Sequence, residues 1–283
     1  MSETKNIAAS VRARLLNRAK ADGMDFNLVL TKYALERLLY RLGVSRWGDA
    51  YLLKGALLFD LWLEQPHRPT RDIDLLGFGP TGSSDAVATF REVCALPCED
   101  GMVFDPTTVR ASEIRKEAGY AGVRVILLGV LDRARCSVQI DIGYGDVVTP
   151  AAERVPYPVL LSGVQAPQMR AYPAYTVVAE KYQIMVKLGI ANTRLKDYFD
   201  LWVLAQHIHF DPAILQQAIA ATFARRATPV PVTQPQGLSG VFASDATKTL
   251  QWQAFLRKNQ LQAPPLEVVV ADLRRWLLPQ AAA

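Results

Sequence analysis

Strand-like alternation in this chain is confined to its first half, and helical spacing dominates the second, so the sequence must fold as two differently built parts. Val123–Leu128, rich in Val, Ile and Leu, and Cys136–Ile142, where apolar and polar residues alternate, read as strands, and Asp132–Arg135 joins them as a hairpin. Tyr51–Lys54 and Arg71–Leu76 read as two shorter strands. Ala56–Leu63 reads as a helix between them, and His67–Thr70 as a break. Gly77–Ser84 is a loop and Asp85–Ala95 a helix. Pro156, Pro158 and Pro167 mark an irregular crossover. Beyond Pro173 the spacing predicts helices over about 174–189, 195–206, 212–226, 244–258 and 266–278. The expected fold class is α/β (α+β). Residues 1–165 form a domain with N-terminal helices and a small mixed sheet, and residues 166–283 form a helical bundle.

The N-terminal helices span about Ser10–Leu42, with Ser10 as N-cap, Gly23 dividing them and Gly43 ending the second. This stretch holds Arg12, Arg14, Arg18, Lys20, Lys32, Arg37 and Arg41, followed by Arg46. The simplest reading is a solvated helix face. The net charge of +5 nevertheless permits a polyanionic partner. No apolar run reaches the roughly 18 residues needed to span a bilayer. The N-terminus lacks the apolar core of a secretory signal, so a cytoplasmic location with no membrane partner is expected. Three cysteines, an odd number without CxxC spacing, argue against a disulfide framework or a zinc ribbon.

The chemistry concentrates in the acids. Residues i and i+2 of a strand share a face, so Asp72 and Asp74 project together while Ile73 points to the core. Adjacent carboxylates repel, and a divalent cation relieves that cost. Magnesium prefers such hard oxygen ligands together with substrate phosphates. Asp-x-Asp alone also occurs in glycosyltransferases, calcium loops and ordinary surface strands. Asp141 strengthens the metal reading. It alternates with the apolar face of Val138, Ile140 and Ile142, so on a neighbouring strand it joins the pair as a third ligand. Asp146 competes for that role from beyond Gly145. Lys54-Gly55-Ala56, at a strand-to-helix turn, offers backbone N–H groups to a phosphate.

This order resembles the DNA polymerase beta-like nucleotidyltransferase superfamily: a Gly turn, two acids one residue apart, then a third acid. More closely, Tyr51–Ala56 followed by Arg68-Pro-Thr-Arg-Asp-Ile-Asp74 resembles the AbiEii toxin family, which includes MenT-type toxins. So do Ala179-Glu-Lys181 and Arg194-Leu-Lys-Asp-Tyr-Phe-Asp-Leu201. The resemblance covers about 50–205. It implies a type IV-like toxin that transfers NMP from an NTP to an acceptor, best known as the tRNA 3′ end, releasing pyrophosphate. It also implies a cognate antitoxin. Asp72, Asp74 and Asp141 would hold Mg²⁺, with Asp141 helping to deprotonate the acceptor. Lys181 would neutralise phosphate charge, and Asp200 would orient Lys181 or the nucleotide. Lys54, Gly55, Ala56, Arg68, Thr70 and Arg194 would complete the nucleotide site. Ala56 departs from the usual Gly or Ser, which removes a hydroxyl contact to phosphate. Alternatives are a small-molecule nucleotidyltransferase, a metal-using glycosyltransferase, or a non-catalytic nucleotide-binding module of the same fold. His207 and His209, at i and i+2 on a helix end, do not share a face and read as structural.

Overall fold

A computed structural model describes residues 6–64, 67–115 and 121–278. The chain forms two compact units. One comprises Met1–Gly145 with Ala152–Tyr172, and the other Asp146–Ala151 with Pro173–Ala283.

The first unit is built on a mixed sheet. Its strands among the described residues are β1 (Tyr51–Lys54), β2 (Asp72–Gly77), β3 (Met102–Arg115), β4 (Ala121–Leu131), β5 (Ala134–Tyr144), β6 (Glu153–Pro156) and β7 (Gln168–Ala171). They lie in the order β3-β4-β5-β2-β1-β7-β6. The hairpin between β4 and β5 forms as the alternation predicts, with Leu131 paired to Ala134 and Asp132 in the left-handed region at φ 54°. Val123, Val125, Leu127, Val138 and Ile140 are buried on one face. The helices α1 (Ile7–Ala21), α2 (Phe26–Val44) and α4 (Ser83–Ala95) pack on the sheet. The opposite face of β2 and β5 carries Asp72, Asp74, Gln139 and Asp141.

Several expectations need correction. Asn6, not Ser10, caps α1 by accepting from Ala9 N at 3.1 Å. Gly43 does not end α2, which continues to Val44. The glycine instead lets α2 approach β7, because a Cβ there would lie 2.7 Å from the Gln168 carbonyl oxygen. The Ala56–Leu63 helix is a 3₁₀ turn over Gly55–Leu58 followed by one short turn, α3 (Phe59–Trp62). Strand β3 carried no clear alternation, because Pro106 and a register shift between Asp105 and Arg110 interrupt its period. Strands β6 and β7 lie inside the proline-marked crossover, where Pro156 stands at the end of an edge strand.

Arg37 and Arg41 are not part of a solvated face; they are 1% and 2% exposed. Arg41 Nη1 donates to Asp100 Oδ2 at 2.6 Å, and its Nη2 to Asp100 Oδ1 at 3.1 Å and the Met102 carbonyl at 2.8 Å. Arg37 pairs with Glu36 and donates to the Gln165 carbonyl. A helix packed between the sheet and the helices α1 and α4 places even its charged residues where carboxylates and carbonyls must meet them.

The second unit is helical: α5 (Ala174–Leu188), α6 (Leu195–His207), α7 (Pro212–Arg225), α8 (Gly240–Ser244), α9 (Ala246–Asn259) and α10 (Leu266–Leu277). The apolar spacing located α5, α6, α7, α9 and α10 to within a few residues and missed the short α8. Asp211 caps α7 from just before Pro212, a residue suited to a first helical position. Tyr198, Phe223, Phe242 and Trp252 are buried in its core. No described helix is long and apolar enough to cross a membrane.

Candidate active site

The sheet register assembles the site. Lys54 on β1 pairs with Asp74 on β2, Asp74 with Asp141 on β5, and Asp141 with Arg124 on β4. Directly paired residues project to the same face, so four charged side chains form one row across four strands. Asp72 lies on the same face two residues earlier, paired with Gln139. The sequence reading placed Asp72, Asp74 and Asp141 on one face, and the register puts them on adjoining strands.

The carboxylate of Asp74 lies against the Gly55 turn. A Cβ on Gly55 would stand 2.2 Å from Asp74 Oδ2, and φ there is +76°, so two independent constraints select glycine. Ala56 follows in the same tight turn, half-buried. Lys54 is 9% exposed, and its Nζ lies 5.0 Å from the Tyr172 ring centroid. Thr70 Oγ1 donates to Asp72 Oδ1 at 2.6 Å, which fixes that carboxylate from the segment preceding β2. Arg68 lies in the same segment, half-buried.

Asp141 is held by a residue the motif reading missed. Arg124 donates from Nε to Asp141 Oδ1 and from Nη2 to Oδ2, both at 2.8 Å. The Asp141 hydrogen bonds hold the arginine pKa above its ordinary value. The charges of Asp141, Asp72 and Asp74 add to this, against a smaller burial effect. The sequence reading joined the two strands through Asp132–Arg135, whereas the turn is only Asp132 and Arg133, and it is this register that sets Arg124 opposite Asp141. Asp146, the competing acid, belongs to the second unit, where it accepts from Arg226 Nη2 at 2.9 Å.

In the second unit, Lys181 on α5 donates from Nζ to Asp197 and to Asp200 on α6, the latter at 2.8 Å. Arg194 at the start of α6 donates from Nε to the other oxygen of Asp197 at 2.6 Å. Asp197 and Asp200, three apart, share a helix face. Both are at most 1% exposed, and Lys181 is 15% exposed. Burial disfavours the Asp197 charge, but Lys181 and Arg194 outweigh it and hold its carboxyl below the usual aspartate range. The motif reading had named Lys181, Arg194 and Asp200 as site residues. Asp197, which links the two cations, lies inside the Arg194–Leu201 motif but was not named as a site residue. His207 Nδ1 lies 2.9 Å from the Val203 carbonyl in the last turn of α6.

The donor set of the first unit suits a hard divalent cation: all three acids supply oxygen, and Asp74 already sits beside a turn that only glycine fits. Both Asp141 oxygens are engaged by Arg124. As the side chains stand, no three His, Cys, Asp or Glu among the described residues are grouped so that they could hold a metal ion.

A profile of the family described as nucleotidyl transferase AbiEii toxin, type IV TA system, matches residues 37–278. Two solved structures from Helicobacter pylori are similar to the chain. One is JHP933, at 13% identity and a TM-score of 0.45, covering 88% of this chain and 93% of that one. The other is a candidate nucleotidyltransferase, at 14% identity and a TM-score of 0.45, covering 90% and 97%. No curated protein matches the sequence. The family match spans most of the chain and includes the acidic row, the Gly55 turn and the Lys181 cluster. The chain therefore belongs to the AbiEii family of nucleotidyltransferase toxins of type IV toxin–antitoxin systems.

Proposed function

We propose that this protein is a magnesium-dependent nucleotidyltransferase that moves a nucleoside monophosphate from an NTP to the 3′ end of tRNA. The acceptor hydroxyl oxygen bonds to the α-phosphorus, the bond from that phosphorus to the bridging oxygen breaks, and pyrophosphate leaves. Asp72, Asp74 and Asp141 would hold the divalent ions, which neutralise phosphate charge and lower the pKa of the attacking hydroxyl. The turn at Gly55 and Ala56 presents backbone N–H groups to the triphosphate, and Lys54, Arg68 and Thr70 flank it. Asp141 helps to deprotonate the acceptor hydroxyl. Lys181 carries the phosphate-neutralising role in the family pattern, with Asp197 and Asp200 holding its ammonium and Arg194 beside it. A cognate antitoxin is the proposed partner in the cell, where the toxin acts in the cytoplasm.

The observation that carries this reading is the in-register pairing of Asp74 with Asp141, with Asp72 on the same face and Gly55 against Asp74. The basic balance suits an RNA acceptor, since phosphate neutralisation supplies much of such affinity. The test is incubation of purified protein with each α-labelled NTP, total tRNA and Mg²⁺. Label on tRNA that disappears with Asp74→Ala and with a chelator supports the proposal. Label on a small acceptor alone replaces the substrate, and label that survives Asp74→Ala removes the site.

A further inference from the structure

Arg124 occupies the place at Asp141 that a divalent ion would need. Its guanidinium engages both carboxylate oxygens, each at 2.8 Å. The hairpin register sets the two residues opposite each other on adjoining strands. The two partners are unequally covered. The Asp141 side chain is 11% exposed and the Arg124 side chain 38%, so the arginine has open space to move into and the carboxylate has little. Two cations cannot share both oxygens of one carboxylate without strong repulsion at contact distance. An ion entering at Asp141 must break two charge-assisted bonds, and the arginine then needs another anion.

We propose that Arg124 is a displaceable counter-ion. It holds Asp141 in the nucleotide-free protein, yields that carboxylate when a divalent ion arrives with a nucleoside triphosphate, and then turns onto the triphosphate. The inference rests on the reading of Asp72, Asp74 and Asp141 as metal ligands, and adds an order of loading. An ion arriving alone leaves the guanidinium without a partner, whereas an ion arriving with a polyanion supplies one. Metal and nucleotide therefore bind with positive coupling, and the coupling is reciprocal. A guanidinium fork suits both partners in turn, because carboxylate and phosphate present the same spacing of oxygens.

The experiment measures Mn²⁺ binding to the full chain by the EPR signal of the free ion, with and without α,β-methylene analogues of the four NTPs. Arg124→Gln is expected to tighten Mn²⁺ binding without nucleotide by about tenfold, since a competing charged hydrogen-bond pair is gone. It is expected to weaken analogue binding at saturating Mn²⁺ by about tenfold, since a charged phosphate contact is lost. Arg124→Lys keeps the charge but loses the fork, and is expected to fall between. Thermal melts of each variant confirm the fold. If both Arg124 variants bind Mn²⁺ and analogue as wild type does, the displacement is wrong. Asp141→Asn separates the two levels. If it abolishes Mn²⁺ binding while Arg124→Gln changes nothing, only the counter-ion role is lost. If Mn²⁺ binding ignores Asp141→Asn and Asp72→Asn alike, the metal site itself falls and the inference with it.

Discussion

The carboxylate of Asp74 fills the space that a side chain at Gly55 would occupy. The nearest approach of an added Cβ is 2.2 Å to Oδ2, with 2.7 Å to Asp74 Cβ, and the backbone there has φ +76°. Gly55→Ala therefore meets both a steric and a torsional penalty, about 2–4 kcal/mol together. It also moves an acid of the proposed metal site, and a misplacement of about 1 Å there is expected to cost about 100-fold in rate. Urea unfolding and the labelled-transfer assay read the two effects separately. A variant that transfers nucleotide at the wild-type rate would show that Asp74 does not need this seat.

Gly43 sits inside α2, where alanine is ordinarily favoured by about 1 kcal/mol. Here the sign reverses. An added methyl would meet the backbone oxygen of Gln168 at 2.7 Å, and a strand carbonyl cannot rotate away as a side chain can. Gly43→Ala is expected to destabilise by about 1–2 kcal/mol net, with overpacking exceeding the helix gain. A chemical-denaturation midpoint above wild type would mean that α2 slides freely on β7.

Asp197 gives the second unit an acid dependence whose direction follows from its shifted pKa. Its folded carboxyl lies below the ordinary range, so the unfolded chain takes up the proton first. The stability it contributes is complete above the ordinary aspartate range, about pH 4, and is lost as pH falls through the folded value. Asp197→Asn removes that term and leaves Lys181 and Arg194 short of a buried negative charge. Lys181 keeps Asp200 and Arg194 is partly exposed, so the change is expected to cost about 1–3 kcal/mol. Urea titrations from pH 7 to pH 3 should show a less stable variant with a shallower acid slope; parallel curves would contradict this account.

Arg41 and Asp100 are 2% and 4% exposed and joined by two hydrogen bonds. Arg41→Ala strands Asp100 and is expected to cost about 3–5 kcal/mol. Removing both charges with Arg41→Met and Asp100→Leu should cost less than the two single changes summed, because no uncompensated ion remains. A double-mutant cycle in urea measures the coupling. Strict additivity would show that the pair does not interact energetically.

Much of the acidic site was legible because strands obey a period of two. Asp72, Ile73 and Asp74 sort themselves between faces without tertiary information, and Val138, Ile140 and Ile142 leave Asp141 on the polar side. The neighbourhood of β2 and β5 was not legible. Parallel pairing across intervening chain depends on contacts that no local pattern encodes. The Arg124–Asp141 pair lies between these cases: hairpin geometry fixed it, yet motif reading looked only for acids. Five helices of the second unit were found because their apolar spacing is regular, while the five residues of α8 are too few to show one. The burial of Arg37 and Arg41 was hidden, since charge predicts a solvated face until the carboxylate and carbonyls that receive it are located. Strand β3 escaped because Pro106 breaks its rhythm where the ladder also shifts.

The sheet of the first unit closes only after the chain has already contributed Asp146–Ala151 to the second. Leu53 of β1 pairs with Ala171 of β7, and its carbonyl accepts from Tyr172 N at 3.0 Å. During synthesis, the outer edge of β1 stays bare until residue 172 has left the ribosome. A polypeptide cut after Gly145 would keep every acid of the row yet display that apolar strand to its neighbours, inviting edge-to-edge clumping. Translation must therefore pass the crossover before the nascent sheet is safe.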